Sequence, residues 1–139
     1  MNRKFLLALW GGLFAVCAAM GFVPQPQGAL RVLLAVLGLV FFAPPVMLLH
    51  RAKTAADRST VLLVRNIAAG ILTLTMVTLV ANVLSLRGSV ALGNVLNVVL
   101  AIVSTPMFCG QIWIVTLFCW AFLMIAAGKL ARQMKKTQT

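Results

Sequence analysis

The sequence is almost without acidic residues: Asp57 is the only one, against twelve lysines and arginines, and the formal net charge is +11. General acid–base catalysis needs a positioned proton carrier with a tuned pKa. Ion-coupled transporters usually keep an acidic residue within a membrane span, and no apolar stretch of this chain contains one. The sequence therefore argues against both classes, and we predict a non-enzymatic protein.

Residues that bind metals or exchange disulfides are also scarce. His50 is the only histidine, and because a metal ion needs several such ligands, the sequence predicts neither a metal site nor a cofactor. Cys17, Cys109 and Cys119 form no C-x-x-C motif. Cys109 and Cys119 would lie about 15 Å apart on one helix, too far for a bond. We expect three thiols that pack as small apolar residues, with a Cys17–Cys109 disulfide as the alternative.

Apolar residues dominate the composition instead. The chain of 139 residues is 63% hydrophobic and 9% charged, with a mean hydropathy of +1.08, whereas about 25% of residues in soluble domains are charged. The basic residues lie in short runs between apolar stretches, not on the soluble face that phosphate recognition uses. The composition predicts an integral membrane protein and argues against a nucleic-acid partner.

Four apolar stretches have about the 20 residues that a helix needs to cross the hydrocarbon: residues 5–23, 29–49, 67–86 and 111–130. A shorter apolar run, residues 90–103, suits a re-entrant or interfacial helix better than a span. We therefore predict an all-α integral membrane protein with one domain over residues 1–139. It would be a bundle of four transmembrane helices, with one short non-spanning helix before the last span.

The positions of the basic residues predict the orientation, because Lys and Arg near span ends are retained in the cytoplasm. Ten of the twelve lie before the first stretch, between the second and third, or at and beyond the end of the fourth; only Arg31 and Arg87 lie at the opposite ends. This pattern predicts four crossings with both termini cytoplasmic, in the plasma membrane. The first stretch is longer than the roughly 7 to 15 residues of a signal-peptide core, so we expect it to be retained.

A basic cluster begins at the end of the fourth stretch and consists of Lys129, Arg132, Lys135 and Lys136. Each such residue near the membrane is worth about 1 kcal/mol against an anionic leaflet. We expect the cluster to bind anionic lipid headgroups, and the alternative is docking onto an acidic cytoplasmic surface of another protein.

Two local patterns concern the backbone. Pro44 and Pro45 lack N–H donors and clash with the carbonyls four residues earlier, which predicts a kink in the second span. Residues 54–57, Thr-Ala-Ala-Asp, match a capping box. They predict that the third helix has Thr54 as its N-cap and Asp57 at its third position.

The first stretch carries small residues at helical spacing: Ala8, Gly11, Gly12, Ala15 and Ala19. Small residues four apart allow close approach of two backbones, which is a main way in which helices associate in lipid. We expect this face to contact another helix of the chain or a second copy.

Uncharged polar residues at membrane depth form a candidate site, the outer polar cluster: Thr78, Asn82, Asn94, Asn97 and Gln111. Thr78 and Asn82 share a helix face, as do Asn94 and Asn97. The first interpretation is interhelical hydrogen bonding. The alternative is a polar cavity for a small solute.

Three hypotheses for function follow. The signatures of small multidrug exporters, fluoride channels and membrane thiol reductases are missing: an intramembrane glutamate, a polar channel motif and paired cysteines. We favour an accessory subunit that packs against itself or a larger membrane complex. The alternatives are a passive channel or solute-binding site at the outer polar cluster and a thiol-dependent enzyme that uses Cys109 or Cys119.

Overall fold

The computed structural model describes residues 2–20, 27–85, 90–105 and 113–137. Of these residues, 92% are helical and none is in a strand, which confirms the predicted all-α class. The helices are α1 (Arg3–Met20), α2 (Gly28–Val40), α3 (Ala43–Thr54), α4 (Arg58–Ser85), α5 (Val90–Val103) and α6 (Trp113–Thr137).

Four helical segments are long and apolar enough to cross a membrane: Arg3–Met20, Gly28–Thr54, Arg58–Leu84 and Trp113–Lys135. They follow the order of the four predicted stretches and overlap each of them, but the third segment begins at Arg58, nine residues before residue 67. The fifth apolar run is the 14-residue helix α5, which is about 21 Å long at 1.5 Å per residue. It packs against α4, which also contacts α3 and α6.

The second spanning segment is interrupted in its middle. Phe41 and Phe42 form a turn between α2 and α3, and Pro44 and Pro45 lie in the first turn of α3. A first turn needs no N–H donors for internal bonds, so prolines are tolerated there. Both phenylalanines are buried although they are consecutive in the chain.

The connection from α3 to α4 differs from the predicted capping box. Thr54 is the last residue of α3, and its hydroxyl donates to the Arg51 carbonyl at 2.9 Å. Asp57 is the residue that caps α4: its carboxylate accepts the backbone N–H of Thr60 at 3.2 Å and the Thr60 hydroxyl at 2.5 Å. The prediction that Thr54 is the N-cap was wrong. Thr and Asp are both good N-caps, so the sequence alone does not choose between them, and in the structure α3 continues to Thr54.

The core of the bundle contains an aromatic cluster, which we define as Trp10, Phe14, Phe41, Phe42 and Trp120. Trp120 lies edge-on to both phenylalanines of the helix break, with ring centroids 5.7 Å from Phe41 and 5.3 Å from Phe42. The Trp10 ring lies 6.2 Å from both Phe41 and Trp120. Aromatic pairs at these separations attract each other beyond their buried area, so the helix break joins α1 to α6.

Candidate functional site

The structure brings two members of the outer polar cluster into direct contact. Asn82 on α4 donates from its side-chain amide to the amide oxygen of Asn97 on α5. Thr78 is buried, and its hydroxyl donates to the Leu74 carbonyl of its own helix at 2.7 Å. Asn94 is exposed on α5, and Gln111 lies outside the described residues. The Asn82–Asn97 contact links α5 to α4.

Replacing Asn82 by leucine is expected to lower the free energy of unfolding by only about 0.6 kcal/mol, the usual worth of such a bond between membrane helices. Asn97→Leu should cost about the same, and the double variant should be no worse than either single variant in this respect, because both changes remove the same Asn82–Asn97 bond. Unfolding by SDS in mixed micelles measures these costs. Single variants that stay folded but lose flux of a small solute in liposomes would instead support the solute-binding alternative.

The small-residue face of α1, formed by Ala8, Gly12, Ala15 and Ala19, points away from the rest of the described chain. All four residues are exposed, whereas Leu6, Trp10 and Cys17 on the other side of the helix are buried. A Cβ atom added at Gly12, or at its neighbour Gly11, would meet no atom of the described chain within 4 Å. The part of the chain that the structure describes therefore leaves this face uncovered.

The only acidic side chain lies where three helices meet. Arg3 at the start of α1 approaches Asp57 at the start of α4, with 3.6 Å between the guanidinium nitrogen and the carboxylate oxygen. A cavity of about 110 Å³ beside this pair is also lined by Arg51 at the end of α3. Hydrogen bonds from the Thr60 hydroxyl and then its backbone N–H lower the pKa of Asp57, with a smaller contribution from Arg3. We call this end of the bundle the basic rim and define it by Arg3, Arg51 and Asp57.

The predicted lipid-binding cluster continues along the end of α6. Lys129, Arg132 and Lys135 are exposed, and the side chain of Lys136 lies outside the described residues. His50 is exposed beside Arg51 in α3. The lysine and arginine charges attract anions.

The sequence analysis missed a second candidate site, beside the aromatic cluster. A cavity of about 300 Å³ is lined by Trp10, Phe14, Phe41 and Trp120, together with aliphatic residues of α1 and α4. The indole N–H groups of Trp10 and Trp120 are buried, and within the described residues neither has a hydrogen-bond acceptor. Two aromatic residues 110 positions apart carry no local signal that they meet, so only the tertiary structure identifies this site.

Two of the three cysteines lie within the described residues. Cys17 is buried in α1 and Cys119 is half-buried in α6. Cys109 lies outside the described residues, so the absence of a Cys17–Cys109 disulfide remains a prediction. No group of three or more histidine, cysteine, aspartate or glutamate side chains that could hold a metal lies among the described residues.

Comparisons of the chain with protein-family models, with curated proteins and with solved structures gave no match.

Proposed function

We propose that this protein is a multi-pass membrane protein that acts as a non-enzymatic accessory subunit, binding a transmembrane helix of a partner through α1. The observation that carries the proposal is the uncovered face of Ala8, Gly12, Ala15 and Ala19. In lipid, helices associate by close packing of small residues, because lipid tails are as apolar as the side chains that face them. Within the described chain, no helix covers this face.

In the proposed orientation, both termini lie in the cytoplasm. The membrane that the protein spans is the plasma membrane. The Arg3–Asp57 pair supports this orientation, because it joins the start of α1 to the connection between α3 and α4 at one end of the bundle. Positively charged residues near span ends favour the cytoplasmic side. On this orientation α5, at about 21 Å, is a non-spanning helix on the outer side.

Charge favours a different protein over a second copy as the partner. A parallel pair of these chains would bring two basic rims together, and the chain has one acidic side chain to offset twelve basic ones. Repulsion between the two basic rims would disfavour association of two copies. An acidic cytoplasmic surface on a different partner would instead attract the basic rim. Anionic lipids would neutralise the remaining basic residues at the rim.

A photoreactive residue beside the small-residue face tests the proposal. Val16 on α1 and Val77 on α4 are both exposed valines. Crosslinking in native membranes from position 16 should give one discrete product with another protein, and crosslinking from position 77 should not. A product of twice the chain's 14.9 kDa would identify a second copy and contradict the heteromeric partner.

Glycine variants give the matched control for this contact. Gly12 on α1 and Gly70 on α4 are both exposed, and both have open space around an added Cβ. Gly12→Leu should therefore leave the fold intact while reducing the position-16 product at least tenfold, because leucine separates the two backbones. Gly70→Leu should leave the yield unchanged. Equal yields of the position-16 product in Gly12→Leu and Gly70→Leu would contradict the proposal that α1 binds the partner.

A further inference from the structure

The two arginines of the basic rim line one cavity from different helices. Arg3 lies at the start of α1 and Arg51 lies near the end of α3, and both side chains are exposed. The cavity between them has a volume of about 110 Å³. Its deeper walls include Leu6, which is 0% exposed, and Leu48, which is 2% exposed. The cavity therefore combines buried apolar walls with two exposed cationic side chains.

The acidic side chain at this cavity leaves the arginine donors available. The two carboxylate oxygens of Asp57 accept hydrogen bonds from the backbone N–H and the hydroxyl of Thr60. The guanidinium nitrogen of Arg3 is 3.6 Å from the carboxylate, beyond the roughly 3.2 Å of an ordinary hydrogen bond. Within the described residues, neither Arg3 nor Arg51 donates a side-chain hydrogen bond. Each guanidinium carries about five N–H donors, and an anion from outside the chain can accept from both.

Charge and shape indicate which anion fits. Two guanidinium groups and one carboxylate line the cavity, so their net charge is that of one cation. A phosphodiester carries one negative charge and would balance it. The fork of N–H donors on a guanidinium matches the oxygens of a phosphate. Because a phosphate group is tetrahedral, arginines on two different helices can donate to different oxygens of the same group.

The cavity lies at one end of the bundle, where three helices begin or end. α1 begins at Arg3, α3 ends at Thr54 and α4 begins at Arg58. If these helices span the membrane as proposed above, the cavity lies at the edge of the hydrocarbon, where phospholipid headgroups are found. Leu6 is three residues beyond Arg3, about 4.5 Å further along α1. A lipid whose phosphate lies between the arginines would thus have its chains beside the apolar part of the bundle.

We propose that this cavity is a binding site for one phosphate group, held between the guanidinium groups of Arg3 and Arg51, and that an anionic phospholipid supplies it. Asp57 limits the site to a group with a single negative charge, because its carboxylate repels a second one. The site differs from the basic cluster of α6, whose charges attract an anionic leaflet as a whole.

Native mass spectrometry of the purified chain counts the bound lipids. In a phosphate-free detergent, titration with phosphatidylglycerol should show one lipid that binds more tightly than all later ones. Phosphatidylcholine with the same chains should bind at least fivefold more weakly, because its choline offsets the phosphate charge. Inorganic phosphate in millimolar excess should not displace the lipid. Displacement by inorganic phosphate would assign the site to the free ion and overturn the lipid as its source.

Neighbouring lysines provide matched variants. Lys4 follows Arg3 and Lys53 lies two residues after Arg51; both lysines are exposed and neither lines the cavity. Arg3→Gln and Arg51→Gln should each weaken binding of the first phosphatidylglycerol about tenfold, because each removes charge-assisted hydrogen bonds. Lys4→Gln and Lys53→Gln should change it less than twofold. Equal losses in the arginine and lysine variants would overturn the site, since attraction to the whole basic surface would then explain the binding.

Asp57→Asn tests the site in the opposite direction. Asparagine is also a good N-cap, and the substitution removes the negative charge beside the phosphate, so the lipid should bind at least threefold more tightly. Weaker binding in Asp57→Asn would contradict the proposed position of the phosphate. Gly12→Leu should bind the lipid as the parent chain does while losing the crosslinked partner, so failure of the phosphate site and failure of the accessory role can be told apart.

Discussion

Replacement of Trp120 by alanine is expected to lower the free energy of unfolding by about 2–3 kcal/mol. Trp120 is fully buried and contacts Trp10, Phe41 and Phe42. Removing an indole leaves a void on the order of 100 Å³, and such voids cost about 24 cal/mol per Å³. The transfer of the side chain out of water adds little in a membrane, because the unfolded helix faces lipid. Unfolding by SDS, followed by circular dichroism, measures the loss.

Two further variants on α6 serve as controls for Trp120→Ala. Phe122, two residues along α6, is 70% exposed, and Phe122→Ala should change the free energy of unfolding by less than about 0.5 kcal/mol. Trp120→Phe should cost under about 1 kcal/mol, because the smaller ring loses contacts but also removes an unpaired buried donor. Equal costs for Trp120→Ala and Phe122→Ala would contradict the position of the aromatic cluster at the centre of the bundle.

Replacement of Asp57 by alanine is expected to cost about 2 kcal/mol, mostly at the start of α4. Loss of an N-cap costs about 1 kcal/mol, and Thr60, which is buried, would lose the acceptor of its hydroxyl at about 1 kcal/mol more. Arg3→Ala should cost under about 0.5 kcal/mol, because the Arg3 and Asp57 side chains are 47% and 34% exposed and exposed pairs contribute little. An equal loss of unfolding free energy in Asp57→Ala and Arg3→Ala would show that the ion pair, and not the N-cap, stabilises the start of α4.

Asp57 also makes stability depend on pH in the acid range. Its hydrogen bonds from Thr60 lower the pKa of the folded state below the ordinary value of 3.8. Above that value the contribution of the carboxylate to stability is fully present, and it is lost as the pH falls through the lower, folded pKa. Because Asp57 is the only acidic side chain, Asp57→Asn should remove most of this acid dependence. An unchanged pH profile in Asp57→Asn would contradict the lowered pKa.

The sequence by itself determined that the chain is helical and where its four long apolar helices lie. Hydropathy is a local property, and a bilayer requires each apolar stretch to satisfy its backbone hydrogen bonds internally, so length and composition predict helices directly. The double proline is also a local signal, and the helix is interrupted immediately before it.

Only the tertiary structure decided which faces of those helices meet. Trp10 is buried while Gly12 is exposed, Asn82 pairs with Asn97, and Asp57 rather than Thr54 caps its helix. In a soluble protein the apolar face of a helix predicts the buried side. Here the exposed sides of the helices carry many large apolar residues, as the buried sides do, and between helices in lipid association would depend on close packing and a few polar contacts between distant residues. The hydrophobic pattern therefore locates the helices in the chain but carries little information about their partners.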